Sequence, residues 1–241
     1  MKFSSIAPLL AVAAAFLLAV SGPGTRLGLW EFPTGFMMMR WAAYLGLTTS
    51  VVACGFLFLP KVSGRAKISL ALTVLVGLGV AFLPWQLQQQ ARSVPPIHDI
   101  TTDTLNPPEF VAILPLRSDA PNPPEYAGEE VARQQRQAYP DIQPLRVEAD
   151  RGTAFETALT AARRMGWEIV AVDQDEGRIE ATATTFWYGF KDDVVVRIEE
   201  DNGAGVIDVR SKSRVGRSDL GANASRIRAY LNAISSIKTS R

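Results

Sequence analysis

Arg210, Lys212 and Arg214 fall at every second position of a stretch that reads as a β-strand. Period-two spacing puts them on one side of that strand with Asp208, and puts Ile207 and Val209 on the other. Guanidinium donors form a rigid fork that matches carboxylates and phosphates. Such a row is either a surface for an anionic ligand or partner, or a set of cross-strand ion pairs. Arg197 on the preceding strand adds to it. The stretch SRVGRSDLGAN, residues 213–223, follows directly. Ser218 and Asp219 there suit a helix start, where side-chain oxygens meet free amides. Arg217, Asn223 and Arg226 are candidates to line a pocket beside the basic row. Asp192 and Asp193 are adjacent carboxylates after the aromatic run FWYGF, but neighbours on a strand point to opposite faces. His98 and Asp99 are adjacent too, which is poor geometry for a base and the acid that orients it. The candidate ligand-binding set is therefore Arg197, Arg210, Lys212, Arg214, Arg217, Asn223, Asp192, Asp219, His98 and Asp99, with no catalytic residue assigned.

Other chemistries are excluded by count. One histidine and one cysteine, Cys54, cannot build a Cys/His zinc site or an intramolecular disulfide. No glycine-rich phosphate loop or nucleophile elbow is present. No metal or cofactor is expected.

Residues 152–241 must position these groups. Thr153 and Glu156 form a capping-box pattern for a helix that ends at Gly166. Strands are expected over 167–172, 178–184, 194–199 and 206–214, with a turn at Asp201–Gly203, and a final helix from Ser218. Ile179, Ala181, Val194, Val196, Ile207 and Val209 face the core; Glu180, Arg197 and the basic row face away. The expected fold class is three transmembrane helices followed by an α+β domain, with a four-stranded, mainly antiparallel sheet and helices on one face. Residues 92–151 read as a proline-rich extended segment wrapping the head, because prolines at 95, 96, 107 and 108 block regular structure. Lying across the outer face, it would pair Asp99 and Asp103 with the arginines and make the row structural.

Residues 1–91 differ in kind. They hold six basic residues and one acidic, Glu31, whereas residues 92–241 hold 19 basic and 23 acidic. A head with excess acid does not read as a nucleic-acid binder. Apolar runs near 5–20, 38–59 and 68–85 predict a three-span membrane anchor over 1–91, in contact with membrane lipids. The first run is short and also fits a signal peptide. Lys61, Arg65 and Lys67 between the second and third runs place that loop in the cytoplasm and the head outside it.

Three stretches carry a family likeness: IHDITTDTLNPPEF, FWYGFKDDVVVRI and IDVRSKSRVGRSDLGANASRIRAYL. Over about residues 94–238 the chain resembles the DUF1499 family of bacteria and plastids, whose function is uncharacterised. The resemblance implies a membrane-tethered domain in a proteobacterial arrangement; joined to the orientation of the basic loop, the expectation is a multi-pass protein of the bacterial inner membrane with a periplasmic C-terminal domain. It supplies no catalytic residue. The family's recurring polar positions map onto His98, Asp99, Thr101, Thr102, Asp103, Asp192, Asp193, Arg197, Arg210, Arg214, Ser218, Asp219, Asn223 and Arg228. Three functions compete. The first is an envelope protein whose head binds a small anionic ligand, lipid headgroup or envelope protein. The second is a hydrolase-like enzyme using acidic residues of the head. The third is a structural subunit of a membrane assembly.

Overall fold

A computed structural model describes residues 2–239, with side chains described from 5 to 237. The chain forms two compact units: Gln90 and the residues before it together with Phe186–Gly189, and Ala91–Thr185 together with Phe190 onward.

The first unit holds α1 (Lys2–Arg26), α2 (Phe32–Leu57) and α3 (Gly64–Ser93). Small residues let these helices approach closely. A Cβ on Gly77 would sit 2.4 Å from the carbonyl oxygen of Gly46, and Ser50 Oγ donates across to Val74 O at 3.1 Å. The expectation of three membrane spans is corrected here. Among the described residues, two helices are long and apolar enough to cross a membrane, over Ser5–Arg26 and Gly64–Ser93. The middle helix is long enough at 26 residues, but Arg40, Tyr44, Thr48, Thr49 and Ser50 dilute its apolar run. The aromatic stretch Phe186–Gly189 groups with these helices, the Tyr188 ring meeting Phe36 edge-on at 4.9 Å.

The second unit runs β1 (Asp99–Thr101), a short 3-10 helix (Leu114–Arg117), α4 (Glu129–Ala138), β2 (Leu145–Val147), α5 (Arg151–Arg164), β3 (Glu168–Asp173), β4 (Arg178–Thr184), β5 (Lys191–Asp201), β6 (Ala204–Ser213) and α6 (Ala222–Thr239). The expected four-stranded sheet is also corrected: the sheet has six strands. Its order is β1-β6-β5-β4-β3, with β2 also pairing β6. Every pairing is antiparallel. The two extra strands come from the segment expected to be merely extended. Each is three residues long, too short for alternation to announce it, and both add to the outer edge of β6. The central hairpin closes at Asn202 (φ 52) and Gly203 (φ 78), the left-handed pair that a two-residue turn of matching twist needs.

α5 and α6 cover one sheet face. Phe155, Leu159, Ile227, Tyr230 and Ile234 pack on Ile179, Val194, Val196, Ile198, Ile207 and Val209, each large apolar side chain contributing about 1.5–3 kcal/mol by burial. Two helix starts differ from expectation. α5 begins two residues before Thr153, because Asp150 is the cap and accepts the Thr153 amide at 3.0 Å. α6 begins four residues after Ser218: Leu220 (φ 56) and Gly221 (φ 80) hold a turn first, while Asp219 accepts the amides of Gly221 and Asn223, each at 2.8 Å.

Residues 102–126 cross the opposite face of the sheet as a strap. Phe110 and Ile113 pack against Val195 and Val170. The outer face is therefore an interior layer.

Candidate functional site

Three ionic clusters occupy the layer between strap and sheet. In the first, Arg210 makes a two-pronged pair with Asp99: Nε donates to Oδ1 and Nη2 to Oδ2, both at 2.9 Å. Its remaining bonds go to the strap carbonyls of Pro108 (3.2 Å) and Pro124 (2.8 Å). Four of its five N–H donors are thus committed inside the protein. The Phe110 ring lies 4.8 Å from the guanidinium and the Tyr126 ring 5.5 Å, so aromatic faces cover what carbonyls do not. Lys212 Nζ meets Asp99 Oδ2 at 3.0 Å and donates to Glu125 O at 2.5 Å. These three side chains are only 1–2% exposed. Burial pulls the Lys212 pKa down, against the pull upward from Asp99. Burial, with Asp99 adding to it, pushes the Tyr126 phenol up to about 12.

The second cluster centres on Asp193, which is fully buried. It takes Arg214 in a two-pronged pair at 2.8 and 2.9 Å, Arg117 Nη1 at 2.6 Å and the Thr182 hydroxyl at 2.8 Å. The third joins Arg197 Nη2 to Asp208 (2.9 Å) and Asp103 (3.1 Å), with Thr102 Oγ1 donating to Asp208 at 2.9 Å.

A fourth group lies on the helix side of the sheet. Asn223, wholly buried, donates to His98 O and Ser213 Oγ, both at 3.0 Å, and accepts from Ser211 Oγ and Arg226. Arg226 reaches Asp192 at 2.5 Å. Burial raises the Asp219 pKa, against two backbone amides that lower it. Asp192 and Asp193 do take opposite faces, and their carboxylates serve different clusters. His98 Nδ1 lies 3.5 Å from the carbonyl of Arg217. Arg217 itself is exposed and makes no ion pair among the described residues.

The structure thus gathers Asp99, Arg210 and Lys212, sets Arg214 beside Asp193 and Arg197 beside Asp103, and leaves Arg217 apart. Several residues of the layer were not legible as such. Arg117 is 1% exposed although it ends a short 3-10 helix in a proline-rich stretch. Glu180 is buried and accepts the amides of Val111, Ala112 and Ile113 at 2.9–3.2 Å. Gln135 of α4 bonds both the amide (3.0 Å) and the carbonyl (2.6 Å) of Thr101. An acidic residue facing outward from a central strand was the one signal available for Glu180.

Among the described residues no group of three or more histidines, cysteines or acids stands ready to hold a metal ion. One open groove of about 370 Å³ runs between Thr102–Leu105 and α4, lined also by Tyr139 and Gln143. Arg136 spans it, bonded to Glu129 and to Thr104 Oγ1.

No curated protein matches it. The model for DUF1499, a family described as proteins of unknown function, matches residues 99–234, more than half of the sequence, and the chain belongs to that family.

Proposed function

We propose that this protein is a membrane-anchored, non-catalytic interaction module of the bacterial envelope, whose head meets a protein partner outside the cytoplasm. One observation carries the reading. Sheet carboxylates neutralise the basic row beneath the strap, Asp99 for Arg210 and Lys212, Asp193 for Arg214 and Asp208 for Arg197, while the strap leaves apolar side chains outside: Val111, Leu114 and Leu116 are 48%, 43% and 53% exposed. An anionic ligand at the row would have to displace Asp99, a carboxylate already tethered in place, and lift the strap. Apolar side chains clustered on one short segment suit a protein surface better than a small anion. A structural subunit of a membrane assembly would use the same side chains. The carboxylates that hydrolase chemistry would need are engaged, Asp192 by Arg226 and Asp219 by the start of α6.

The side of the membrane rests on the last crossing alone. Lys61, Arg65 and Lys67 precede or open α3, and the head follows it. A cytoplasmic position for that basic loop puts the head on the far side of the inner membrane, whatever the number of earlier crossings.

The test is a photo-crosslinking residue introduced at Leu116 in intact cells. A discrete adduct, absent when the residue is placed at buried Ile113, is expected. No adduct at Leu116, or a smear of unrelated ones, overturns the reading.

The groove favours a second reading, a small anionic ligand taken by Arg136. Its volume falls in the range of small-molecule sites. Glu129 and Arg136 form an exposed pair that costs little to open. Calorimetric titration with inorganic phosphate and with citrate tests it; binding that Arg136→Gln abolishes would support it, and no heat from either anion would end it.

A further inference from the structure

We infer that the free edge of β3 is a docking site for an extended segment of a partner protein, which joins the sheet as a further strand. This rests on the reading of the head as an interaction module and names the surface and the partner's chemistry.

The two edges of the sheet are built differently. Along β6 the edge is filled by β1 and β2, three residues each, and short edge strands are a common way to prevent unwanted pairing. The other edge is β3, six residues, EIVAVD, with neither proline nor lysine. No described strand pairs its far side. Ile169, Val170 and Ala171 are half-buried and Val172 is 45% exposed. A register shift at Val170 interrupts the strand; on either side of it the edge presents amides and carbonyls outward in alternation, a template for main-chain bonding.

Side chains flank that template on both faces. Ile169 lies opposite Ala181, and Val172 opposite Ile179, so both face the helix side. Val170 joins Phe110 and Ile113 on the strap side. The strap is pinned there because Glu180, directly across from Ala171, holds the amides of Val111–Ile113. The exposed Val111 and Leu114 therefore lie on the part of the strap that crosses beside β3. An incoming strand finds apolar contacts on both of its faces.

Charge selects the occupant. In the register that pairs all six residues with a second copy, Glu168 would stand opposite Asp173 at both ends. Like charges directly opposed oppose pairing, so a second copy is disfavoured. Asp173 closes β3 and the turn after it carries Asp175 and Glu176. The nearby Arg178 is already shared between Asp173 and Glu180, and Arg151 spends its donors on carbonyls. Arg163 and Arg164 lie at the opposite end, in the last turn of α5. The fitting partner is an extended segment, apolar at alternate positions, with lysine or arginine where it passes the turn.

Full-length protein in detergent and three synthetic peptides test this. The first alternates valine and threonine with a lysine at each end. The second has glutamates at its ends. The third repeats the first with alternate backbone nitrogens methylated, which removes donors without changing side chains. The lysine-ended peptide is expected to slow exchange of the outward-facing amides of residues 168–173, those that β4 does not bond. The glutamate-ended one should need about tenfold more for the same protection, and the methylated one should give none. Val172→Lys, a change at an exposed position, should weaken the first peptide about tenfold with thermal unfolding unchanged. Equal protection by all three peptides, no protection at millimolar peptide, or slow exchange of these amides before any peptide is added overturns the docking site. If crosslinks persist at Leu116 in that event, the interaction module stands and only the edge is wrong; their absence sinks the module itself.

Discussion

Replacing Asp99 by asparagine strands two buried cations. Asp99, Arg210 and Lys212 are each 1–2% exposed, so water cannot take over the role of the carboxylate. Asparagine keeps one acceptor, enough for one of the two bonds from Arg210, and turns an N–H₂ toward the other. Arg210 retains the carbonyls of Pro108 and Pro124, and Lys212 that of Glu125. Breaking a buried pair by removing one partner costs about 3–5 kcal/mol. At about 2–4 °C per kcal/mol for a domain of this size, the head should melt about 6–20 °C lower. Trp167 reports on the core, stacked 4.8 Å from Tyr230. Its fluorescence in full-length protein, with the other four tryptophans changed to phenylalanine, follows the transition. A sign follows as well. The Lys212 pKa is already lowered by burial, and Asp99 is the group that raises it. Without Asp99 it falls further, so over a wider alkaline range the unfolded chain binds the proton more tightly than the folded one. Stability contributed by such a base is complete above its unfolded pKa and is lost as pH falls through the folded one. The deficit of Asp99→Asn should therefore shrink as pH rises into the alkaline range. Adding Lys212→Met should restore about 1–2 kcal/mol. An Asp99→Asn protein within about 1 kcal/mol of the parent, or one further weakened by Lys212→Met, would refute the buried ionic layer.

Gln135→Ala leaves the buried amide and carbonyl of Thr101 without their partner and should cost about 2 kcal/mol in urea unfolding, with β1 exchanging first. The Tyr126 phenol should ionise near pH 12: the absorbance difference between parent and Tyr126→Phe protein at 295 nm stays flat until well past the ordinary pH 10. Its folded value is raised, so the stability linked to it is complete below pH 10 and is lost as pH passes about 12. Alkaline phosphatase fused to the C-terminus should be active in bacteria, and inactive fusions would move the head to the cytoplasmic side.

Local chemistry made much of this protein readable in its residues. Period-two alternation assigned Ile179, Val194, Val196, Ile207 and Val209 to the helix side and Glu180, Arg197 and Arg210 to the other, because side chains on a strand can point only two ways. Asn202 and Gly203 marked their hairpin through the positive φ that few other residues adopt. Runs of apolar residues marked long helices, although the polar residues of α2 weigh against counting it as a span.

What the alternation could not say is what lies over each face. Asp99 meets Arg210 across 111 positions of chain, Arg117 meets Asp193 across 76, and β1 and β2 are strands only because β6 offers them an edge. Three residues carry no period of their own. The sequence by itself determined which residues share a face and that the face is charged. Only the tertiary structure decided that the charge is internal, because burial of a carboxylate and a guanidinium depends on the distant segment that closes over them.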